Sequence, residues 1–141
     1  MPFIYHIARF SDWELARQAG EYLGSTRGRS LDDVGFIHAS AADQVAPVAN
    51  AVYRDYGGSA GGGSDRLVVL VIDADKVTAQ IRYEAVPGAP KPYPHIYGPL
   101  NADAVVEVLP LERGRNGDFQ FVEAQAAPDP LGPPRSSDPP R

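Results

Sequence analysis

Each of the three histidines in the chain lies inside a short apolar segment. His6 lies in "FIYHIA", His38 in "GFIHAS" and His95 in "PHIYG". A strand histidine with apolar neighbours must satisfy two ring nitrogens away from bulk water. Three such positions in 141 residues suggest one shared site, at which imidazoles would do acid–base work near neutral pH. The alternative is three separate core histidines, each bonded to a backbone carbonyl.

Other polar side chains could join this site. In "YPHIYGPL", strand alternation places His95 and Tyr97 on one face and Ile96 on the other. Glu84 ends a strand and opens the loop that leads to His95, which makes it a candidate catalytic carboxylate; a solvated surface glutamate is the alternative. Arg9 follows the first strand and could meet a phosphate, or it is a surface arginine.

Several kinds of chemistry are not expected. The chain has no cysteine, which excludes disulfides, thiolate catalysis and cysteine-ligated zinc. No histidine pair has the close spacing of a metal site, and we predict no metal. Ser40 lacks a nucleophile elbow and is predicted to cap a helix instead. The glycines at 61–63 precede a strand, so they form neither a P-loop nor a dinucleotide fingerprint.

The net charge of −5 and the pI near 5.0 argue against binding to nucleic acid. No apolar run approaches the roughly 20 residues that span a bilayer, so no membrane association is expected. The first ten residues lack the features of a signal peptide, and a cytoplasmic location is the expectation.

The first half of the chain should alternate strands with capped helices. Residues 3–8 predict a strand, followed by a helix with Ser11 as N-cap, Gly20 as the stop, and Trp13 and Ala16 facing the core. The pair Ser30 and Asp33 predicts a short helical turn, and residues 35–39 a second strand. Ser40 with Asp43 then predicts a helix beginning near Asp43 or Gln44, which leaves Pro47 in its first turn.

The second half is predicted to be mostly strand. A Gly-rich loop at 57–65 precedes "RLVVLVIDA", which is typical of a strand buried on both faces. Strands follow in "QIRYEAV", "HIYG" and "AVVEVLP", with a last edge strand after a turn at Asn116-Gly117. This order predicts an α+β fold with a mostly antiparallel sheet. We predict one domain over residues 1–123 and a disordered Pro-rich tail over 124–141, whose partner is unknown.

Taken together, "IYHIA…W", "GFIHAS…QV…AN..Y", "LVVLVID", "RYE" and "PHIYGPL" resemble the DUF952 family, small bacterial proteins without an assigned activity. The resemblance covers roughly residues 3–122. Ala39 departs from a cysteine that is common in the family. The family is in turn similar to the ADP-ribosyltransferase superfamily, which implies two small, mostly antiparallel sheets forming a cleft, with two or three flanking helices.

The resemblance also implies roles for the site residues. NAD, as a substrate rather than a cofactor, or a related nucleotide would lie in the cleft. His6 would bind a ribose, and His38 with Phe36 would contact the base or the nicotinamide. His95 and Tyr97 occupy the place of the usual catalytic glutamate, and Glu84 would supply the missing charge. The resulting catalytic set is His95, His38 and Glu84. The substrate-binding set is His6, Arg9, Phe36, Ser40 and Tyr97.

Three functions follow from these expectations. The first is an enzyme acting on NAD, ADP-ribose or a related nucleotide through a three-histidine cleft. The second is a non-catalytic module of the same fold that binds a small molecule. The third is a structural or interaction protein whose histidines are core residues.

Overall fold

The structure, a computed structural model, describes residues 3–26, 29–53, 66–114 and 116–121. The strands are β1 (Phe3–Arg9), β2 (Glu21–Tyr22), β3 (Gly24–Thr26), β4 (Arg29–Ser30), β5 (Ile37–His38), β6 (Leu67–Asp73), β7 (Gln80–Glu84), β8 (Tyr93–Tyr97), β9 (Leu100–Asn101), β10 (Val105–Pro110), β11 (Glu112–Arg113) and β12 (Phe119–Gln120). The helices are α1 (Phe10–Ala19), α2 (Leu31–Val34) and α3 (Val45–Val52), with single 3₁₀ turns at Ala42–Gln44, Ala74–Lys76 and Ala102–Ala104.

Two three-stranded sheets organise the described residues, one in the order β1-β6-β10 and one in the order β5-β8-β7. All of the strand pairs are antiparallel. The predicted α+β class with small antiparallel sheets is therefore confirmed. β6 lies in the centre of the first sheet and is buried along its whole length, as its continuous apolar sequence predicted.

Each face of β6 supports its own apolar core. Val68, Leu70 and Ile72 pack on one side, where α1 contributes Trp13 and Ala16 as predicted. The alternate residues of β6 lie on the other side, which α3 covers with one buried stripe. That second cluster includes Leu67, Val69 and Val71 from β6, Val45 and Ala49 from α3, and Tyr53.

Among the described residues, one backbone bridge joins the two sheets. The Tyr5 N–H donates to the Ser40 carbonyl and the Ser40 N–H donates to the Tyr5 carbonyl, both at 2.8 Å. Continued pairing would place Ile7 opposite His38, but the described strands pair no further there. β1 and β5 therefore diverge beyond the bridge, and the histidines of both strands lie where they separate.

Both predicted serine N-caps are wrong. α1 begins at Phe10, with Arg9 as the N-cap residue, so Ser11 lies in the first turn. Ser40 is held in the bridge to Tyr5, so its backbone belongs to a sheet and not to a helix start. The Ala41 N–H donates instead to the Gln44 side chain at 2.8 Å.

Other predictions at the helix ends are confirmed. α3 begins at Val45 after a 3₁₀ turn, which leaves Pro47 in the first turn. Gly20 ends α1 in a left-handed conformation with φ 93°. The Gly-rich loop and the Pro-rich tail lie outside the described residues, so the division at residue 123 stays a prediction. Within the described ranges, no helix is long and apolar enough to cross a membrane.

Candidate functional site

One face of the β5-β8-β7 sheet is polar. His38 on β5 lies opposite His95 on β8, which lies opposite Arg82 on β7. Glu84 pairs with Tyr93 in the same sheet, two residues from the Arg82–His95 pair. Because side chains alternate along a strand, all of these groups share one face. The isoleucines of the opposite face, at positions 37, 81 and 96, face the first core.

Three of these groups form a continuous chain of hydrogen bonds. The Glu84 carboxylate lies 2.7 Å from His95 Nδ1, and His95 Nε2 lies 3.3 Å from His38 Nδ1. The Tyr97 hydroxyl donates to the same carboxylate oxygen of Glu84 at 2.6 Å. The chain joins residues that lie 57 positions apart in sequence, and it connects a half-exposed carboxylate to a partly buried imidazole.

The donors and acceptors fix the protonation pattern. An ionised carboxylate only accepts hydrogen bonds, so Nδ1 of His95 carries the proton. When His95 is neutral, its Nε2 accepts from His38 Nδ1–H. Nε2 of His38 then carries a lone pair, and that nitrogen has no hydrogen-bond partner in the described part of the chain. Glu84 thus fixes the tautomer of His95, and His95 fixes the tautomer of His38. The unbonded Nε2 of His38 is left in the form that can act as a base.

Aromatic rings hold both imidazoles in place. Phe36 stacks on His95 with ring centroids 4.1 Å apart and an interplanar angle of 18°. Tyr93 lies 5.0 Å from the His38 ring. The Arg82 guanidinium lies 5.1 Å from the centroid of Tyr97 and leaves its charge exposed on this face. The rings thus restrict the rotation of the histidines that carry the hydrogen bonds.

His6 occupies the split between β1 and β5 and has both ring nitrogens bonded. Its Nδ1–H donates to the His38 carbonyl at 2.5 Å, and its Nε2 accepts from the Tyr22 hydroxyl at 3.1 Å. The imidazole therefore replaces a backbone hydrogen bond that the diverging strands cannot make. Tyr22 was not predicted to belong to the site. The residues that flank it, Glu21 and Leu23, form no polar–apolar alternation in the sequence, so no local signal marked Tyr22 as buried.

Burial and neighbouring charges set the electrostatics. Burial lowers the pKa of His6 from 6.5 to about 4, although the bond to the His38 carbonyl opposes this. Burial, together with the other two histidines, also lowers the pKa of His38 to about 4. Hydrogen bonds from Tyr97 and His95 hold the pKa of Glu84 below its usual value. At neutral pH the site thus contains neutral His6 and His38 and an ionised Glu84.

Described residues of the site line two cavities. The first has a volume of about 10 Å³ and lies between β1, β5 and α3. Its lining residues are His6, Ile7, His38, Ser40, Val48, Val52 and Tyr53. The second is an open groove of about 450 Å³ that Tyr97 lines together with Glu21, Thr78, Pro99 and other residues. The first has room for about one water molecule, whereas the second is in the size range of a small-molecule site.

The structure brings together most of the predicted site residues. Phe36, His38, Glu84, His95 and Tyr97 form one contiguous group. His6 and Ser40 border it at the small cavity.

Arg9 is directed elsewhere, since it forms an ion pair with Asp12 at 2.9 Å at the start of α1. Among the described residues, no cluster of three or more histidine, aspartate or glutamate side chains has a geometry that could hold a metal ion.

The fold and the site define a small α+β protein with a carboxylate–histidine–histidine chain on an open sheet face. The chain belongs to the DUF952 family, described as proteins of unknown function, whose family model matches residues 7–108. This match confirms the resemblance that the sequence motifs indicated.

Solved structures of one relative match nearly the whole fold. The crystal structure of protein CC0527 from Caulobacter crescentus is 27% identical, covers 89% of this chain and 99% of its own, and superposes with a TM-score of 0.67. The solution structure of the same protein is 28% identical, covers 90% and 97%, and has a TM-score of 0.64. No curated protein matches the sequence.

Proposed function

We propose that this protein is an enzyme that acts on NAD, ADP-ribose or a related nucleotide, with Glu84, His95 and His38 as its acid–base residues. The proposal depends on one observation: the Glu84 carboxylate contacts both His95 and Tyr97 on the polar sheet face. If the proposed likeness to ADP-ribosyltransferases holds, their catalytic glutamate would correspond to the part of β8 that here contains His95 and Tyr97. Glu84 would supply the charge from the neighbouring strand β7.

A carboxylate at this place has a clear chemical use. Cleavage of the bond between ribose and nicotinamide develops positive charge on the sugar, which a fixed negative group stabilises. One oxygen of Glu84 accepts from Tyr97 and His95, and the other makes no hydrogen bond with the described residues. That second oxygen would face the ribose.

The rest of a nucleotide would extend along the exposed surface. The small cavity cannot hold a nucleotide, so the ligand would lie across the sheet face and enter the 450 Å³ groove past Tyr97. Phe36 would pack against the base or the nicotinamide, and Arg82 would meet a phosphate. We assign His6 a positioning role, because both of its nitrogens are already bonded. Its contact holds the His38 backbone.

Calorimetry and product analysis test this function. Titration with NAD and with ADP-ribose should give binding heat at millimolar ligand or below, and NAD should be converted with release of nicotinamide. Glu84→Gln should lower that release about 100- to 1000-fold, as loss of one preorganised stabilising group does. Glu112→Gln, a change at an exposed glutamate of β11, is the matched control and should leave the rate unchanged. If neither ligand gives heat at millimolar concentration, the proposal is wrong.

A binding module without turnover is the second candidate. The neutral state of His6 and His38 at pH 7 supports it, because a group with a pKa of about 4 is a weak base. This candidate predicts the same affinity for NAD in the wild type and in Glu84→Gln, with no nicotinamide release from either.

A further inference from the structure

We propose that two copies of this protein pair along the open edge of β7, in an antiparallel register centred on Tyr83, so that Arg82 of each copy lies opposite Glu84 of the other. The second copy would thereby contribute a charged residue to the candidate site. This inference goes beyond the proposed function and does not depend on it.

β7 is an edge strand that presents both polar backbone and apolar surface. Within the described part of the chain it pairs only with β8, and no strand covers its other side. An edge of this kind is a template for pairing with another chain. The Tyr83 side chain at the edge is 58% exposed, although it is large and mostly apolar.

The hydrogen bonds on the far side of β8 show which backbone groups of β7 are open. The Ala39 N–H donates to the Pro94 carbonyl at 3.0 Å, so the backbone of Pro94 is directed toward β5. Pro94 lies opposite Tyr83, and this pair therefore exchanges no hydrogen bonds. The N–H and C=O of Tyr83 point away from β8, as do those of Ile81 two residues earlier. These groups are available to water or to another strand.

The charges of β7 select one register for pairing with a second copy. Registers centred on Ile81, Arg82 or Tyr83 all bring the open backbone groups of the two strands together. The register centred on Arg82 places two arginines directly opposite each other, which is repulsive. Among the three, only the register centred on Tyr83 places opposite charges face to face, and twofold symmetry forms the Arg82–Glu84 contact twice. Charged side chains usually protect an edge, but in this order they favour self-pairing.

Glu84 and Arg82 both have capacity for this contact. Directly opposite residues of an antiparallel pair have Cβ atoms about 4.5–5.5 Å apart, within reach of an ion pair between long side chains. One oxygen of Glu84 accepts from Tyr97 and His95, and a carboxylate has about four acceptor sites in all. Arg82 of the second copy can therefore bind the other oxygen and still leave a site for a ribose hydroxyl. Within its own chain Arg82 donates to Gln80 at 3.4 Å, which leaves most of its N–H donors available.

Sedimentation equilibrium of the full chain tests the pairing. A strand pair of this length is a small interface, so we expect a monomer–dimer equilibrium in the micromolar range. Arg82→Glu and Glu84→Arg should each weaken association by about tenfold or more, because each places like charges at both contacts. An equimolar mixture of the two variants should associate again, since every contact then joins opposite charges. Val106→Glu, at an exposed position of β10, is the charge-matched control and should associate like the wild type.

A wild type that stays monomeric across this range would overturn the inference. So would Arg82→Glu that associates as tightly as the wild type, because the copies would then meet through another surface. Nicotinamide release by a monomeric wild type would leave the proposed function standing.

Cross-linking tests the register without changing a residue of the candidate site. The chain has no cysteine, so Tyr83→Cys carries a single thiol. The two introduced thiols would lie on opposite residues with Cα atoms about 5.5 Å apart, within the range that a disulfide spans. Mild oxidation should therefore give a covalent dimer on a non-reducing gel. Val106→Cys is the control and should remain monomeric, and equal cross-linking of both variants, or none of Tyr83→Cys, would refute the register.

Discussion

Acidification should weaken the folded state well before the carboxylates titrate, and His6 should be a main cause. Its pKa is lowered from 6.5 to about 4 by burial in the split between β1 and β5. Between these values the unfolded chain holds a proton at this position and the folded chain does not. Stability is therefore complete above pH 6.5 and is lost progressively as the pH falls toward 4.

The size of the loss follows from the two pKa values. One pKa unit corresponds to about 1.4 kcal/mol, so complete acidification would remove about 3 kcal/mol of unfolding free energy through His6. Linkage gives a loss of about 2 kcal/mol between pH 7 and pH 5. His38 has a similarly lowered pKa and adds to the slope, although its partial exposure reduces its share.

Urea unfolding followed by the fluorescence of Trp13, the single tryptophan, would measure the effect. The free energy of unfolding should fall by at least about 2 kcal/mol from pH 7 to pH 5 in the wild type. His6→Asn keeps an N–H donor but does not titrate, so its loss of unfolding free energy between pH 7 and pH 5 should be smaller by about 2 kcal/mol, which is about 1 kcal/mol per pH unit. An equal slope in both proteins, or an NMR titration that gives His6 a pKa near 6.5, would refute the reasoning.

Three further perturbations test single contacts. Tyr22→Phe leaves Nε2 of His6 buried without its donor and should cost about 1–3 kcal/mol in unfolding free energy; a cost below 0.5 kcal/mol would show that this bond is unimportant. Tyr97→Phe removes the main hydrogen bond that lowers the pKa of Glu84, so that pKa should rise in a ¹³C carboxyl titration, and an unchanged value would contradict the assigned contact. Leu70→Ala removes a fully buried side chain from β6 and should cost about 2–5 kcal/mol by urea unfolding; a much smaller loss would mean that the core rearranges to fill the space.

Local patterns predicted the elements that depend on their own residues. The continuous apolar run of β6 and the alternation of β8 each indicate which faces are buried, and both patterns are visible without tertiary information. The alternation of β7 is less informative, because Tyr83 lies on the same side as Ile81 and is nevertheless exposed. The predictions of serine N-caps were wrong because a distant contact can override a local pattern. Ser40 satisfies the cap pattern, but its pairing with Tyr5, 35 positions earlier, decides its conformation, and no local signal reports that contact.

The site shows the same limit. Alternation placed His95 and Tyr97 on one face, and the loop that Glu84 opens leads to His95, but neither pattern indicated that the carboxylate contacts both side chains. That contact depends on the register between β7 and β8, in which Glu84 pairs with Tyr93. The sequence analysis did not include Tyr22 in the site, because its partner, His6, lies 16 positions away and only folding brings the two together.

The loop between β7 and β8 is a suitable position for attaching a fluorescent label. Its base is closed by the Glu84–Tyr93 pair, so the positions of the Glu84 carboxylate and His95 are set by the strands and not by the loop between them. Pro87 is exposed in that loop, and the chain contains no cysteine. A cysteine introduced at Pro87 would be the sole attachment point for a fluorescent dye. A dye in this loop would test binding of the proposed nucleotide without replacing any residue of the candidate site.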